Sequence, residues 1–139
     1  MSYKILSKFI KDISFEIPNV QAFAMLENEI SKYNLTFDIK SAPFKKNIIE
    51  VNTILKILPG DNVKYKILAE INYAALVSIE NELADKEKLK KIILVDVPTD
   101  IYPTLYETFV YVFKQAGVNT VNITKEVDFE KLYNDKNKS

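Results

Sequence analysis

The chain predicts an α+β fold, a four-stranded antiparallel sheet followed by helices. Two patterns carry that expectation. Apolar residues recur at every second position through the first two thirds of the chain and at every third or fourth position in the last third. With 139 residues, 47% of them hydrophobic and 27% charged, the chain has the size and composition of one soluble globular domain spanning 1–139.

Strand one is expected from Phe9 to Ile17. Phe9, Ile13, Phe15 and Ile17 take odd positions and Asp12, Ser14 and Glu16 even ones, the alternation of a strand with one buried face, which Pro18-Asn19 ends. The connection from Asn19 to Tyr33 carries Phe23, Met25, Leu26 and Ile30, is too long and apolar for a plain loop, and has room for a helical turn. Strand two sets Leu35, Phe37 and Ile39 against Thr36, Asp38 and Lys40. Strand three, Ile48 to Ile57, puts Ile49, Val51, Leu55 and Ile57 on one face. Pro59-Gly60-Asp61-Asn62 signals a turn. In strand four Tyr65, Ile67, Ala69, Ile71 and Tyr73 alternate with Lys64, Lys66, Leu68, Glu70 and Asn72. Links of turn length make the sheet antiparallel with one face covered.

Beyond Asp85 the period lengthens. A lysine-rich amphipathic helix from Asp85 to Val97 turns Leu89, Ile92 and Ile93 inward, and Pro98 should end or bend it. Pro103 then suits the first turn of a second helix that runs to about Gln115 and stops at Gly117. Tyr102, Tyr106, Phe109 and Phe113 form its apolar stripe. Asp128 can cap a short third helix carrying Phe129, Leu132 and Tyr133, and residues 134–139 make a polar tail expected to fray.

Several functions are excluded by what is missing. Without Cys or His the chain lacks the commonest metal ligands and most nucleophile–base pairs. Gly60 and Gly117 are too few for a phosphate-cradling loop. All nineteen basic residues are lysine, and nineteen acids cancel them, which argues against a nucleic-acid partner. Carboxylates such as Glu50, Asp96, Asp100 and Glu107 are too common to found an enzyme on. No apolar run approaches the ~20 residues of a membrane span, and the N-terminus has no signal-peptide core. The expectation is a cytoplasmic protein that is not an enzyme and uses no cofactor or metal. The lack of cysteine fits a reducing compartment.

The order of four segments resembles the SecB family of export chaperones. Ile10 to Asn19 is similar to its first-strand signature YxKDxSFExP, and Ile67-Leu68-Ala69-Glu70-Ile71 to its fourth strand. Val97-Pro98 with Tyr102-Pro103 and Glu107 is similar to its CP…FPYARE segment, and Val127-Asp128-Phe129 with Leu132-Tyr133 to its closing motif. The resemblance implies helices packed on one face of the sheet and assembly as a dimer of dimers. It implies a holdase that binds unfolded precursor proteins in apolar grooves and passes them to the ATPase SecA. The chain departs from the family at Ala74-Ala75, where a glycine pair is usual after strand four, and in its neutral charge and lysine-containing end.

The resemblance also assigns roles. Asp12, Glu16, Leu68 and Glu70 are candidates for binding SecA, since alternation turns all four outward. Taken alone, Asp12 and Glu16 read as solvated surface. Phe23, Met25, Leu26 and Phe44 are candidates for a client groove because a core does not need them there. Tyr102 and Tyr106 join them, although helical periodicity reads their stripe as core. Lys86, Lys88, Lys90 and Lys91, interspersed with acids, read as a solvated helix face. Uncovered strand edges and aromatic loops predict a homo-oligomer. Two other readings remain: a SecB-like chaperone dedicated to one partner such as an antitoxin, and a small-molecule-binding α+β domain.

Overall fold

The computed structural model describes residues 3–80, 85–119 and 126–137. Along the chain run β1 (Tyr3–Glu16), α1 (Val20–Glu29), a 3-10 turn (Ile30–Lys32), β2 (Tyr33–Lys45), β3 (Ile48–Pro59) and β4 (Leu68–Ile79). α2 (Lys86–Lys91), a π turn (Ile92–Asp96), α3 (Val97–Gln115) and α4 (Phe129–Asn137) follow. The four strands form one antiparallel sheet in the order β1-β4-β3-β2, so β1 and β2 are its edges. This is the α+β architecture that the sequence predicts.

The core lies between one sheet face and α3. Cross-strand pairs Val51↔Ala75, Leu55↔Ile71 and Ile57↔Ala69 are buried under Ile101, Leu105, Phe109 and Phe113 of the helix. Phe113 meets Phe15 of β1 edge to face at 5.0 Å, and Phe109 lies 5.1 Å from Phe113. Each such ring contributes about 1.5–3 kcal/mol through burial.

Strand one departs from the expected pattern. Its alternation of odd apolar positions does not yield one buried face, because a bulge between Ile10 and Asp12 inserts Lys11 and switches the parity. Phe9 therefore lies on the outer face opposite Ala74 and is 40% exposed, and Ile13, on the helix side, stays exposed because β1 is an edge. Strand four begins at Leu68, four residues after Lys64 where the expected alternation starts, and continues to Ile79. Ala74 and Ala75 thus sit inside it, both fully buried, rather than after it.

The connection after β1 is a ten-residue helix, longer than a helical turn. Asn19 caps it by accepting a hydrogen bond from the Ala22 N–H at 2.8 Å. The turn after β3 requires its glycine. Gly60 N–H donates to the Lys32 carbonyl at 2.9 Å, and a Cβ there would lie 2.9 Å from that same oxygen.

The chain stays helical past Pro98, through the π turn Ile92–Asp96 and into α3, which starts at Val97 and contains Pro103. Pro98 is the second residue of α3, directly after the π turn. The π turn, closed by the Val97 N–H on the Ile92 carbonyl, carries α2 into α3. Pro103 lies on the solvent side with Thr99, whose carbonyl faces the missing N–H, so water can supply the donor. Gly117 ends α3 as predicted, with φ 91°, while the Val118 N–H closes on the Phe113 carbonyl at 2.9 Å. α4 continues through Asn134 to Asn137, and 138–139 lie outside the described residues.

Candidate functional site

A groove of 530 Å³ opens along the β2 edge. Five consecutive residues of the strand, Leu35 to Ile39, form one side, and Lys90, Leu94, Phe129, Leu132 and Tyr133 form the other. Consecutive lining residues mean that the groove follows the backbone itself and not one face of the sheet. Gly60 N–H bonds to the Lys32 carbonyl, so in an unbroken antiparallel register the pairs of Leu35, Phe37 and Ile39 with β3 are the non-hydrogen-bonded ones. Their main-chain N–H and C=O groups point away from β3, into the groove. Their side chains lean to the helix side and are half-buried.

Aromatic rings close the back. Phe37 contacts Phe129 at 5.4 Å and Tyr102 at 5.6 Å, and Tyr102 lies 5.9 Å from Phe129 and 6.2 Å from Tyr106. Burial, and secondarily the neighbouring Tyr106, pushes the Tyr102 hydroxyl up to about 12. It stays neutral at physiological pH, and the floor remains apolar. Thr36, Asp38 and Lys90 supply the polar groups at the mouth.

The six expected groove residues fall in three places. Tyr102 is buried behind Phe37 and Phe129, with half-buried Tyr106 beside it. Phe23 and Leu26 line a smaller pocket of 230 Å³ between α1 and the end of α3, with Gly117 and Val118; Leu26 is buried there and Phe23 exposed. Met25 is exposed on α1. Phe44 is 55% exposed at the far end of β2, under the ammonium of Lys45. Sequence reasoning missed Leu35, Phe37, Ile39, Leu94, Phe129, Leu132 and Tyr133 as groove residues. The alternation in strand two marks their apolar face but not that the strand ends the sheet.

On the opposite face, β1 and β4 bring the second candidate set together. Glu16 pairs directly with Leu68, Ser14 with Glu70, and Asp12 with Asn72, so Asp12, Glu16, Leu68 and Glu70 share one surface. Leu68 is 49% exposed in its middle. Ser14 donates to Asp12 at 2.9 Å, and Lys56 of β3 approaches Glu70 at 3.8 Å.

A family model described as preprotein translocase subunit SecB matches residues 1–139. A SecB-named export protein of Pelagibacter ubique is 39% identical over 132 residues, covering 95% of this chain and 94% of its own. The protein-export protein SecB of Anaplasma phagocytophilum is 25% identical, covering 94% and 89%. A solved SecB-like chaperone of Mycobacterium tuberculosis, in complex with a peptide from an antitoxin, superposes with a TM-score of 0.65 at 11% identity, covering 91% of this chain and 88% of its own, a likeness of fold. The chain belongs to the SecB family, whose members are protein-export chaperones and not enzymes.

Proposed function

We propose that this protein is a cytoplasmic holdase that takes unfolded precursor segments into the β2 groove and presents them to SecA on its outer sheet face. One observation carries the reading: an open strand edge borders an aromatic groove. An extended client can add to β2 through main-chain hydrogen bonds, which any sequence offers, while alternate side chains enter the apolar cleft. Main-chain recognition gives breadth, and the aromatic floor selects apolar segments. Described helices include none long and apolar enough to cross a membrane.

Phe23, Met25 and Phe44 extend the apolar surface away from the groove and would serve as secondary contacts along a long client. The docking reading rests on Asp12, Glu16 and Glu70 around Leu68: carboxylates meet the zinc-carrying basic tail of SecA while Leu68 supplies dry contact. The remaining edge, β1, suits a second copy of the chain, in a homo-oligomer built as a dimer of dimers.

Titration of a fluorescent unfolded polypeptide tests the groove. Phe37→Ser is expected to weaken binding at least tenfold, and Phe23→Ser with Phe44→Ser by less. Equal affinity for wild type and Phe37→Ser would remove the groove from the mechanism. Binding confined to one antitoxin-like peptide among many unfolded chains would favour a dedicated chaperone. For the outer face, the Asp12→Lys, Glu16→Lys double variant should lose the SecA tail and keep client binding. Equal affinity for the tail would return the patch to ordinary solvated surface.

A further inference from the structure

The outer face carries one contact that neither the groove nor the four-residue patch uses. The bulge in β1 leaves Lys11 without a partner in register, and its side chain crosses β4 to reach Glu50 of β3, with Nζ 2.7 Å from Oε2. β1 and β3 lie two strand spacings apart, about 10 Å. Both side chains must be extended to meet, and the register sets Ala74 between them. Ala74 is fully buried although it points to the outer face.

Asn52 stands next to Glu50 on this face, opposite Ala74, and is only 7% exposed. Its Oδ1 has no hydrogen-bond partner among the described residues, nor has the buried Oδ1 of Asn72, which pairs with Asp12. The surface thus holds a carboxylate already occupied by a cation from its own chain, with unused carbonyl acceptors beside it. Other lysines here sit farther from their acids, at 3.8 Å for both Lys56–Glu70 and Lys40–Asp38.

We propose that Lys11 is a built-in competitor: it holds Glu50 in the free protein, and a basic side chain of the docking partner replaces it. Docking then extends across β4 to Glu50, Asn52 and Asn72. This rests on the reading of the outer face as the site for a basic segment. The Lys11 side chain is 45% exposed and that of Glu50 21%, so the lysine can leave into water while the carboxylate stays in place. An incoming ammonium or guanidinium brings several N–H donors, enough for Glu50 and an amide oxygen that Lys11 leaves unused. The device keeps part of the attraction of this face in internal pairs, Lys11–Glu50 and Lys56–Glu70, and releases it by exchange.

Calorimetric titration of the SecA tail peptide into wild type, Lys11→Met, Glu50→Gln and the double variant tests it. Methionine keeps the stem over Ala74 and removes the charge. Lys11→Met is expected to tighten binding about fivefold, the scale of one charge contact in water. Glu50→Gln should weaken it, and Lys11→Met should give no tightening in that background. An unchanged affinity for Lys11→Met overturns the proposal. So does equal tightening with and without Glu50, which would be a net-charge effect. In either case the docking reading stands if the Asp12→Lys, Glu16→Lys variant still loses the tail. If wild type fails to bind and Lys11→Met binds, the competitor stands and docking by the free wild type does not. If neither binds, both fall.

Discussion

β1 and β2 both end the sheet, yet β1 carries two bulges within its length while β2 stays in regular register until Pro43. The bulges scatter apolar side chains to both faces of β1, leaving Leu6, Phe9, Ile10 and Ile13 exposed. On β2 the alternation survives, and α4 and the π turn stand over its apolar side. A regular edge offers a continuous row of main-chain groups, and a bulged edge interrupts that row and twists it. On the reading proposed above, the comparison separates two kinds of recognition: β2 would take an arbitrary extended chain, and β1 a surface whose side chains match its own.

The largest expected effect breaks the β1 half of that comparison. Ile10→Lys with Ile13→Lys puts two charges on the bulged edge and should reduce the assembly to half its mass or less, as measured by light scattering at micromolar concentration. A variant of unchanged mass would show that β1 is not the interface. A wild type with the mass of one chain would remove the oligomer altogether.

Next in size is the β2 side. Phe129 is buried against Phe37 and Tyr102 and anchors α4 at the groove. Phe129→Ala should cost about 3–5 kcal/mol in urea unfolding and abolish client binding. Leu132→Ala, at an exposed position lining the same groove, should weaken client binding with little change in stability. If both variants lose stability equally, the groove wall is core and the two edges differ less than their geometry suggests.

Much of this was legible in the chain. The core face of β3 follows from Ile49, Val51, Leu55 and Ile57, because a central strand has neighbours that enforce its period. The outward set Asp12, Glu16, Leu68 and Glu70 was legible too, since all four lie beyond the bulge, where alternation is regular again. Phe9 was not, because one inserted residue reverses parity and leaves no mark in composition. The groove was hidden for a different reason. Leu35, Phe37 and Ile39 have the pattern of any half-buried strand, and their role comes from strand order, which is set by all four strands together. Pro103 misled in the same way: its local preference is to begin a helix, and exposure of the gap it makes lets α3 continue.

The smallest expected effect concerns the place where supports of both edges meet. Tyr3 of β1 donates to Asp100 at 2.8 Å, and Lys91 lies 3.9 Å from Glu130 of α4. Asp96, in the π turn that joins α2 to α3, sits among these groups. Burial raises its carboxyl above the ordinary range, Lys91 opposes the rise, and Asp100 and Glu130 add to it. A folded pKa above the unfolded one means that the native state binds the proton more tightly. Stability from this group is therefore fully present below the unfolded value and lost as pH rises through the folded one. Above that window the native protein holds Asp96 charged at a cost. Asp96→Asn removes the cost and should raise the urea midpoint modestly at neutral pH, with the gap to wild type closing as pH falls through the window. A midpoint below wild type at neutral pH would mean that the attraction of Lys91 outweighs burial, and that this junction is held together by charge.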